Sequence, residues 1–192
     1  MKKHILQLYW AITRAYLRLR GAEVGKNVRC NGFPHIKVRQ GGRLVIGDDV
    51  QINAARWSNA HVVAGSTNLF VAAGAELILG KGVGLSGARI VAMQRIVLEE
   101  GAMIGAGCLI CDSDMHEIPL GATSEISVKP INIGRKVFVG AQSIILKGVT
   151  IGTGSVIAAG SVVTKSVSIN SLVGGNPSRV IKTFDMPSQP NN

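Results

Sequence analysis

A short run of side chains with reactive groups lies between Cys108 and His116. It contains two thiols in C-x-x-C spacing, Cys108 and Cys111, followed by Asp112, Asp114 and His116. Such residues serve a redox-active thiol pair, a metal site, or a histidine that acts as a general base. A redox pair works at a helix N-terminus, and structural zinc needs four ligands, but no second Cys or His pair is near. The residue types alone leave the histidine interpretation open beside these two.

The elements that position this run follow a period of six residues. From Ile133 to Val167 every first place is Ile or Val, and every fifth place is small or β-branched. The first places are Ile133, Val139, Ile145, Ile151, Ile157 and Val163, and the fifth places are Val137, Ser143, Val149, Ser155, Ser161 and Val167. A period of six fits neither an amphipathic helix nor an alternating strand, and it is typical of a solenoid. We expect both places to point inward, three faces to close one coil, and coils to stack about 4.8 Å apart.

Four runs resemble the hexapeptide-repeat acyltransferases, and within them the sugar O-acetyltransferases of the maltose, galactoside and polysaccharide type. The runs are LSGA from Leu85, IGAG from Ile104 with DSDMH from Asp112, the repeat block itself, and VGGNPSRV from Val173. The resemblance covers nearly all of the chain after residue 20. It implies an all-β solenoid, a left-handed parallel β-helix with a short N-terminal α-helix, assembled as a homotrimer.

The resemblance also implies a role for each residue of the reactive run. His116 would be the general base that takes a proton from a sugar hydroxyl and returns it to the departing thiolate, and histidine has the right pKa range. Asp112 or Asp114 would orient the imidazole or bind a sugar hydroxyl, although a turn residue bonding its own backbone explains either equally well. Ser86 lies where some relatives carry an asparagine that contacts the acceptor, so this substrate-binding position departs from the family pattern.

The C-terminal part of the resemblance implies acetyl-CoA as the acyl donor, bound between neighbouring subunits, with no metal required. The positions that match cofactor-binding residues of relatives are Ala141, Ala159, Thr164, Lys165, Arg179 and Lys182. Small side chains at the two alanines would leave room for the pantetheine arm and the adenine. The four polar or basic residues would lie near the ribose and the phosphates.

Composition limits the class of protein and of partner. The chain has 192 residues, 46% hydrophobic and 17% charged, which suits one folded domain, and 24 glycines with 4% aromatic residues suit a tightly wound solenoid. The formal charge of +10 suggests anionic partners, but the basic residues are scattered without an RNA-binding motif, so we expect no nucleic acid. Three cysteines without a signal peptide suggest reduced thiols in a cytoplasmic protein.

Residues 1–20 form a basic amphipathic segment. Apolar residues at spacings of three and four predict a helix, and its apolar runs are too short to span a bilayer. Two interpretations stay open: the helix covers the first turn of the solenoid, or it rests on the anionic inner surface of a membrane. We expect the β-helix at residues 21–183, with a loop at 117–130, and a polar tail at 184–192.

The leading functional prediction is an acetyl-CoA-dependent O-acetyltransferase that modifies a sugar hydroxyl, in surface polysaccharide or lipopolysaccharide biosynthesis. The first alternative is the same fold acting on an amino sugar or an antibiotic. The second is a non-catalytic β-helix scaffold, which would need neither His116 nor the charges of Lys165 and Arg179. A carbonic anhydrase of the same fold would need three zinc histidines, and no suitable pair is present.

Overall fold

The chain winds into a three-sided prism of stacked coils behind one N-terminal helix. The computed structural model describes residues 2–58, 66–121 and 125–185. Helix α1 (Lys2–Leu19) precedes six coils of three strands each. Coil 1 contains β1 (Ala22–Val24), β2 (Arg29–Asn31) and β3 (His35–Val38); coil 2 contains β4 (Arg43–Ile46), β5 (Gln51–Asn53) and β6 (Asn68–Val71); coil 3 contains β7 (Glu76–Leu79), β8 (Gly84–Ser86) and β9 (Arg89–Ala92). Coil 4 contains β10 (Arg95–Leu98), β11 (Met103–Ile104) and β12 (Leu109–Cys111); coil 5 contains β13 (Ile131–Ile133), β14 (Phe138–Val139) and β15 (Ile144–Ile145); coil 6 contains β16 (Thr150–Ile151), β17 (Val156–Ile157) and β18 (Val162–Val163).

Strands of successive coils pair in parallel and form three faces. Face A contains the first strand of every coil, face B the second and face C the third. The register aligns equivalent places, since Leu44 pairs with Leu77 and Leu77 with Ile96 on face A. The fold is the left-handed parallel β-helix with one N-terminal helix that the sequence predicts.

The core is a narrow column of aliphatic side chains inside the prism. The six first-place residues of the repeat are fully buried: Ile133, Val139, Ile145, Ile151, Ile157 and Val163. The fifth-place residues are buried as well, and the hydroxyls of Ser143, Ser155 and Ser161 donate to backbone carbonyls. The small polar fifth places therefore fill the corners without leaving a buried donor unpaired. Each fully buried Ile or Val stabilises the fold by roughly 1.5–3 kcal/mol relative to an exposed one.

Helix α1 covers the open N-terminal end of the stack. Leu17 is fully buried against coil 1. The guanidinium groups of Arg14 and Arg20 donate to the backbone oxygens of Val28 and Ile36, at 3.1 and 2.6 Å. These contacts satisfy carbonyls of coil 1 that have no preceding coil. Within the described residues, no helix combines the length and the apolar character needed to cross a bilayer.

The C-terminal end closes with a hairpin. Strand β19 (Ser171–Gly175) extends face B in parallel, and β20 (Ser178–Thr183) returns antiparallel to it. The stack therefore ends on a strand whose direction breaks the repeat, and no further coil follows among the described residues.

One coil is interrupted by a long excursion between β12 and β13. The chain leaves the coil at residue 112 and is back on it at residue 130, with an antiparallel bridge between Ser113 and Val128 at the base. The amide of Lys129 donates to the backbone oxygen of Asp112, and the amide of Gly148 in the next coil donates to Lys129. This excursion carries His116 out from the corner between face C and face A.

Candidate active site

Many of the residues that the sequence singles out lie on the C–A corner, the turn from the third strand of one coil to the first strand of the next. The excursion at residues 112–130, called the His116 loop from here on, follows the last strand of coil 4. Lys147 belongs to coil 5, and Thr164 and Lys165 belong to coil 6. Successive coils are about 4.8 Å apart. Thr164 and Lys165 therefore lie about 10 Å along the prism from the base of the His116 loop.

Asp112 anchors the base of the loop from inside the structure. It has no exposed surface, and its carboxylate accepts hydrogen bonds from the backbone amides of Met93, Gln94 and Arg95 at 2.7, 2.9 and 2.8 Å. These three amides form the C–A corner of the preceding coil. The structure therefore gives Asp112 a structural role, where the sequence predicts a contact with the imidazole or the substrate. The buried position leaves no surface for a substrate to touch.

Asp114 is tied to the next coil by an ion pair. Its Oδ1 lies 2.6 Å from Nζ of Lys147, and both side chains are only about a quarter exposed or less. The amide of Asp114 also donates to the backbone oxygen of Ser127, on the returning arm of the loop. Asp112 thus fastens the loop to coil 3 and Asp114 fastens it to coil 5.

His116 lies two residues beyond this second anchor and is exposed to solvent. Its Nδ1 lies 3.2 Å from the backbone oxygen of Glu117. Because a carbonyl oxygen can only accept, this contact favours the tautomer with the proton on Nδ1. Nε2 then presents a lone pair to solvent, which is the arrangement of a general base. Neither Asp112 nor Asp114 contacts the imidazole in this chain, since the hydrogen-bond partners of both lie elsewhere.

The surroundings of the two thiols in this run favour neither redox nor metal chemistry. Burial raises the pKa of the Cys108 thiol and that of the Cys111 thiol, so both favour the neutral form. Each is also engaged with a backbone oxygen, Cys108 with Gly140 and Cys111 with Ser113. Among the described residues, no group of three His, Cys, Asp or Glu side chains is arranged to hold a metal ion.

The B–C corner, the turn from the second to the third strand of a coil, is lined by very small residues. Ala141 lies there in coil 5 and Ala159 in coil 6, and the amide of Gly160 donates to the backbone oxygen of Ala141 at 2.8 Å. A Cβ on Gly140 would lie only 2.5 Å from the backbone nitrogen of Ala159. The coils therefore touch backbone to backbone at the two alanines, and the exposed Gln142 follows Ala141 on the same corner.

Arg179 extends this corner onto the C-terminal hairpin. It pairs with Gly174 across β19 and β20, and Gly174 lies beside Ala158 of the coil below. Its guanidinium is exposed, and its hydrogen-bond partners within the described residues are the backbone oxygens of Pro177 and Ser178. Lys182, two pairs further along the hairpin, lies over the ring of Phe184. Among the described residues neither cation has a carboxylate partner.

Ser86 lies on the B–C corner of coil 3 and so on a different corner from His116. The side-chain amide of Asn53 donates to the Ser86 hydroxyl at 3.2 Å. The side-chain amide of Asn31 in turn donates to the side-chain oxygen of Asn53 at 2.9 Å, and the Trp10 indole donates to the side-chain oxygen of Asn31 at 3.0 Å. Ser86 therefore belongs to a polar ladder that includes Trp10 of helix α1. The structure does not bring Ser86 and His116 together within one chain.

Lys147 is the site residue that the sequence analysis overlooks. It lies 18 residues before Lys165 and 18 residues after Lys129, which is one coil in each direction. A search for lysines at this longer period would have placed all three on the C–A corner. Lys129 and Lys165 are exposed and, among the described residues, form no ion pair, so this lysine column carries positive charge beside the His116 loop.

Comparison with known proteins supports the repeat and the fold. The family model described as the hexapeptide repeat of succinyl-transferase matches residues 130–165. A solved galactoside acetyltransferase in complex with coenzyme A is 30% identical over 57% of this chain and 55% of its own, with a TM-score of 0.51. The chain thus spans about half the length of that enzyme. No curated protein sequence matches the chain.

Two further structures are similar over most of the chain. A maltose O-acetyltransferase from Clostridium difficile 630 is 23% identical, covering 90% of this chain and 75% of its own, with a TM-score of 0.53. A hexapeptide-repeat containing acetyltransferase from Vibrio cholerae O1 biovar eltor, complexed with acetyl coenzyme A, is 22% identical, covering 92% and 78%, with a TM-score of 0.56. These matches confirm the resemblance to the hexapeptide-repeat acyltransferases in repeat and in fold.

Proposed function

We propose that this protein is an acetyl-CoA-dependent O-acetyltransferase that transfers the acetyl group to a sugar hydroxyl, with His116 as the general base. One observation carries the proposal: an exposed imidazole on a loop that is fastened to two coils. The anchors are the buried carboxylate of Asp112 and the ion pair between Asp114 and Lys147. A loop held this firmly can keep a general base in place, although His116 itself is exposed to solvent.

The proposed chemistry uses Nε2 of His116. A sugar hydroxyl is a poor nucleophile near neutral pH, so its proton must be removed as its oxygen attacks the thioester carbonyl. Nε2 takes this proton while Nδ1 keeps its own proton on the Glu117 carbonyl. When the carbon–sulfur bond breaks, the imidazolium returns the proton to the departing thiolate. The ring thus ends each cycle in the state in which it began.

The B–C corner supports the proposed place of the acyl donor. A slender pantetheine chain fits against the small Ala141 and Ala159 on this corner, beside the exposed side chain of Gln142. Arg179 lies at the C-terminal end of this corner without a carboxylate partner in the described part of the chain, where phosphates would be held. Thr164 and Lys165 supply a hydroxyl and a second cation on the other border of face C. The galactoside acetyltransferase and the Vibrio cholerae protein hold coenzyme A and acetyl coenzyme A, respectively.

Face C separates the two corners in one chain, so we propose that the site is completed in a homotrimer. The B–C corner of one copy would meet the C–A corner of the next. The outer surfaces of the C-terminal coils suit such contacts, because Met103 and Phe138 project from face B and Ile144 and Val162 lie stacked on face C. Burying these side chains between copies would stabilise the assembly while leaving a cleft at the corner.

The acceptor belongs to the sugar class in this proposal, as a step in surface polysaccharide or lipopolysaccharide biosynthesis in the cytoplasm. The galactoside and maltose enzymes act on sugars by name. Ser86, which accepts a hydrogen bond from Asn53, lies on the corner that a neighbouring copy would bring towards His116. The loop after His116 would border the acceptor through its described part, which ends at Lys129, while residues 122–124 of the predicted loop lie outside the described residues.

The decisive experiment is an acetyl-transfer screen over free sugars, glycosides and amino sugars, with acetyl-CoA as donor and products read by mass spectrometry. The wild type should acetylate at least one sugar hydroxyl. His116→Asn should lower kcat by several orders of magnitude and leave the melting temperature unchanged, because the side chain is exposed. The matched control is His35→Asn, since His35 is also exposed but lies on β3 in coil 1. Near-normal turnover in His116→Asn would end the proposal for this residue.

A second measurement tests the place of the donor. Arg179→Glu should raise the KM for acetyl-CoA more than it lowers kcat, because a phosphate contact acts in binding rather than in chemistry. CoA should raise the melting temperature of the wild type, and zinc should not. A protein that CoA does not stabilise, and that transfers no acetyl group to any sugar, would be a scaffold and not a transferase.

A further inference from the structure

Helix α1 has two apolar faces, and only one of them is used by the fold. Thr13 and Leu17 are fully buried against coil 1. Ile5, Leu8 and Ile12 lie on the opposite side and are 63%, 64% and 52% exposed. A helix whose only task is to cover the end of a solenoid is expected to have a polar outer face.

The exposed residues form one continuous stripe. Ile5, Leu8, Ile12, Ala15 and Leu19 follow spacings of three and four, and all of them are exposed. At roughly 100° per residue this stripe stays within one narrow sector of the helix, on the side away from Thr13 and Leu17. The outer stripe therefore runs the length of the helix and is not a set of isolated surface residues.

The outer stripe continues onto coil 2 through an aromatic residue. Trp57 is 66% exposed and packs edge-on against Tyr9, at 6.1 Å between ring centroids. Trp57, Ile5, Leu6 and Tyr9 line one shallow apolar depression at the N-terminal end of the helix. An exposed tryptophan at the margin of an apolar stripe is typical of surfaces that sit at the interface between lipid and water.

The segment that carries the outer stripe has charges of one sign. Residues 1–20 contain five Lys or Arg and no Asp or Glu, and the first acidic residue is Glu23. The chain as a whole carries a formal charge of +10, so this segment supplies half of the excess. Two such helices packed stripe to stripe would bring like charges together, which opposes a second copy as the occupant. An anionic surface complements both the stripe and its charges.

We infer that the outer stripe of α1, together with Trp57, binds the surface of a bilayer that contains anionic lipids. The helix lies in the plane of the interface, with Ile5, Leu8, Ile12 and Leu19 among the acyl chains. The five positive charges of residues 1–20 attract the headgroups, while the arginine guanidinium groups stay on backbone oxygens of coil 1. The inward face stays on coil 1, so the prism stands on the membrane by its N-terminal end. This inference stands on the geometry of α1 and does not depend on the proposed transfer reaction.

The test uses the full chain and vesicles of two compositions, neutral phosphatidylcholine alone and phosphatidylcholine with about one third phosphatidylglycerol. Wild type should co-sediment with the anionic vesicles and should dissociate as salt rises, because the headgroup attraction is screened. The double substitution Leu8→Ser and Ile12→Ser should weaken partitioning at least tenfold without lowering the melting temperature. The matched control is Ile169→Ser, an equally exposed apolar residue at the other end of the prism.

Each contrary outcome would overturn the inference. Failure of the wild type to bind anionic vesicles would do so directly, as would equal binding by the double variant. If the double variant instead dissociates a larger assembly in sedimentation, the occupant of the stripe is a second copy of the chain. As an independent readout, vesicles should shift tryptophan emission to shorter wavelength, and Trp57→Phe should remove most of that shift.

Discussion

Replacement of Asp112 tests whether its carboxylate stabilises the fold or takes part in catalysis. Its two oxygens accept three backbone hydrogen bonds, from Met93 on one oxygen and from Gln94 and Arg95 on the other. In Asp112→Ala all three amides lose a charged acceptor, and hydrogen bonds to charged groups contribute about 1.5–3 kcal/mol each. Gln94 and Arg95 are exposed, so water can satisfy part of what is lost. We therefore expect the free energy of unfolding to fall by about 3–5 kcal/mol.

Asp112→Asn gives a graded second point. The asparagine oxygen can keep the bonds to Gln94 and Arg95, while its amide group would face the N–H of Met93, donor against donor. The expected loss is about 1.5–2.5 kcal/mol, roughly half of that for alanine. The order alanine, asparagine, wild type should appear in urea unfolding at one fixed protein concentration, since assembly would make stability depend on concentration.

Activity measurements complete the separation. The control is Asp114→Asn, two residues along the same loop, which removes a partly exposed ion pair and should cost about 1 kcal/mol or less. If Asp112 is structural, Asp112→Asn at low temperature should keep most of the kcat per folded molecule. A variant with unchanged stability and a kcat lowered at least 100-fold would refute the reasoning and return Asp112 to the imidazole or the substrate.

Three other predictions concern single positions. Lys147→Met should lower kcat about 10- to 100-fold with little change in KM, because the His116 loop loses one anchor, and Lys147→Arg should restore most of it; steady-state kinetics measure both. Burial raises the pKa of the Cys30 thiol from 9.0 to about 12, so the stability due to the neutral thiol is complete below pH 9 and is lost between there and pH 12. The wild type should therefore lose about 1.4 kcal/mol per pH unit more than Cys30→Ala above pH 9, in urea titrations at several pH values. Gly140→Ala should destabilise by about 2–3 kcal/mol, since its Cβ would press on the backbone of Ala159, whereas Gly160→Ala, with open space around its Cβ, should lose only about 1 kcal/mol through its positive φ; equal melting temperatures would contradict this.

The six-residue period explains why so much of the fold was predictable from sequence. Each coil has an aliphatic residue at the place that Ile145 occupies, and stacking puts equivalent residues directly above and below it. Its burial is therefore a property of the pattern and not of any single contact. The small fifth places follow the same logic, as the bonded hydroxyl of Ser161 illustrates. Because the pattern repeats, the local preference for an inward-pointing residue also determines its contacts with the neighbouring coils.

The candidate site was less predictable, because it lies where the repetition fails. Asp112 is the last residue before the chain leaves the coil, and its partners are 17 to 19 residues earlier. The pairing of Asp114 with Lys147 spans 33 residues across an irregular loop. No short-range pattern joins these residues. The predicted sugar contact at Ser86 also could not reveal that its hydroxyl belongs to a ladder begun by Trp10.

The N-terminal helix shows a different limit. The spacing of its apolar residues predicts a helix, but the two interpretations of that helix use different faces. Leu17 belongs to the face that covers coil 1, and Ile12 belongs to the face that remains open. The spacing of the apolar residues does not divide them between these two faces, so the two-sided character of the helix is apparent only with coil 1 in place.

The uniform stacking of the coils also fixes the steps by which the distance between two sites along the prism can change. Groups on the same corner, such as Lys147 and Lys165, are separated by whole steps of about 4.8 Å, each worth one turn of chain. Insertion of one complete turn would lengthen the span between the His116 loop and the C-terminal hairpin by one rung and keep every side chain on its own edge. Insertion of a single residue would instead shift every later residue by one place in the repeat and so move its side chain to a different position around the coil. Reach along this scaffold is therefore adjustable only in discrete increments, and a ligand of a different length calls for a different number of turns.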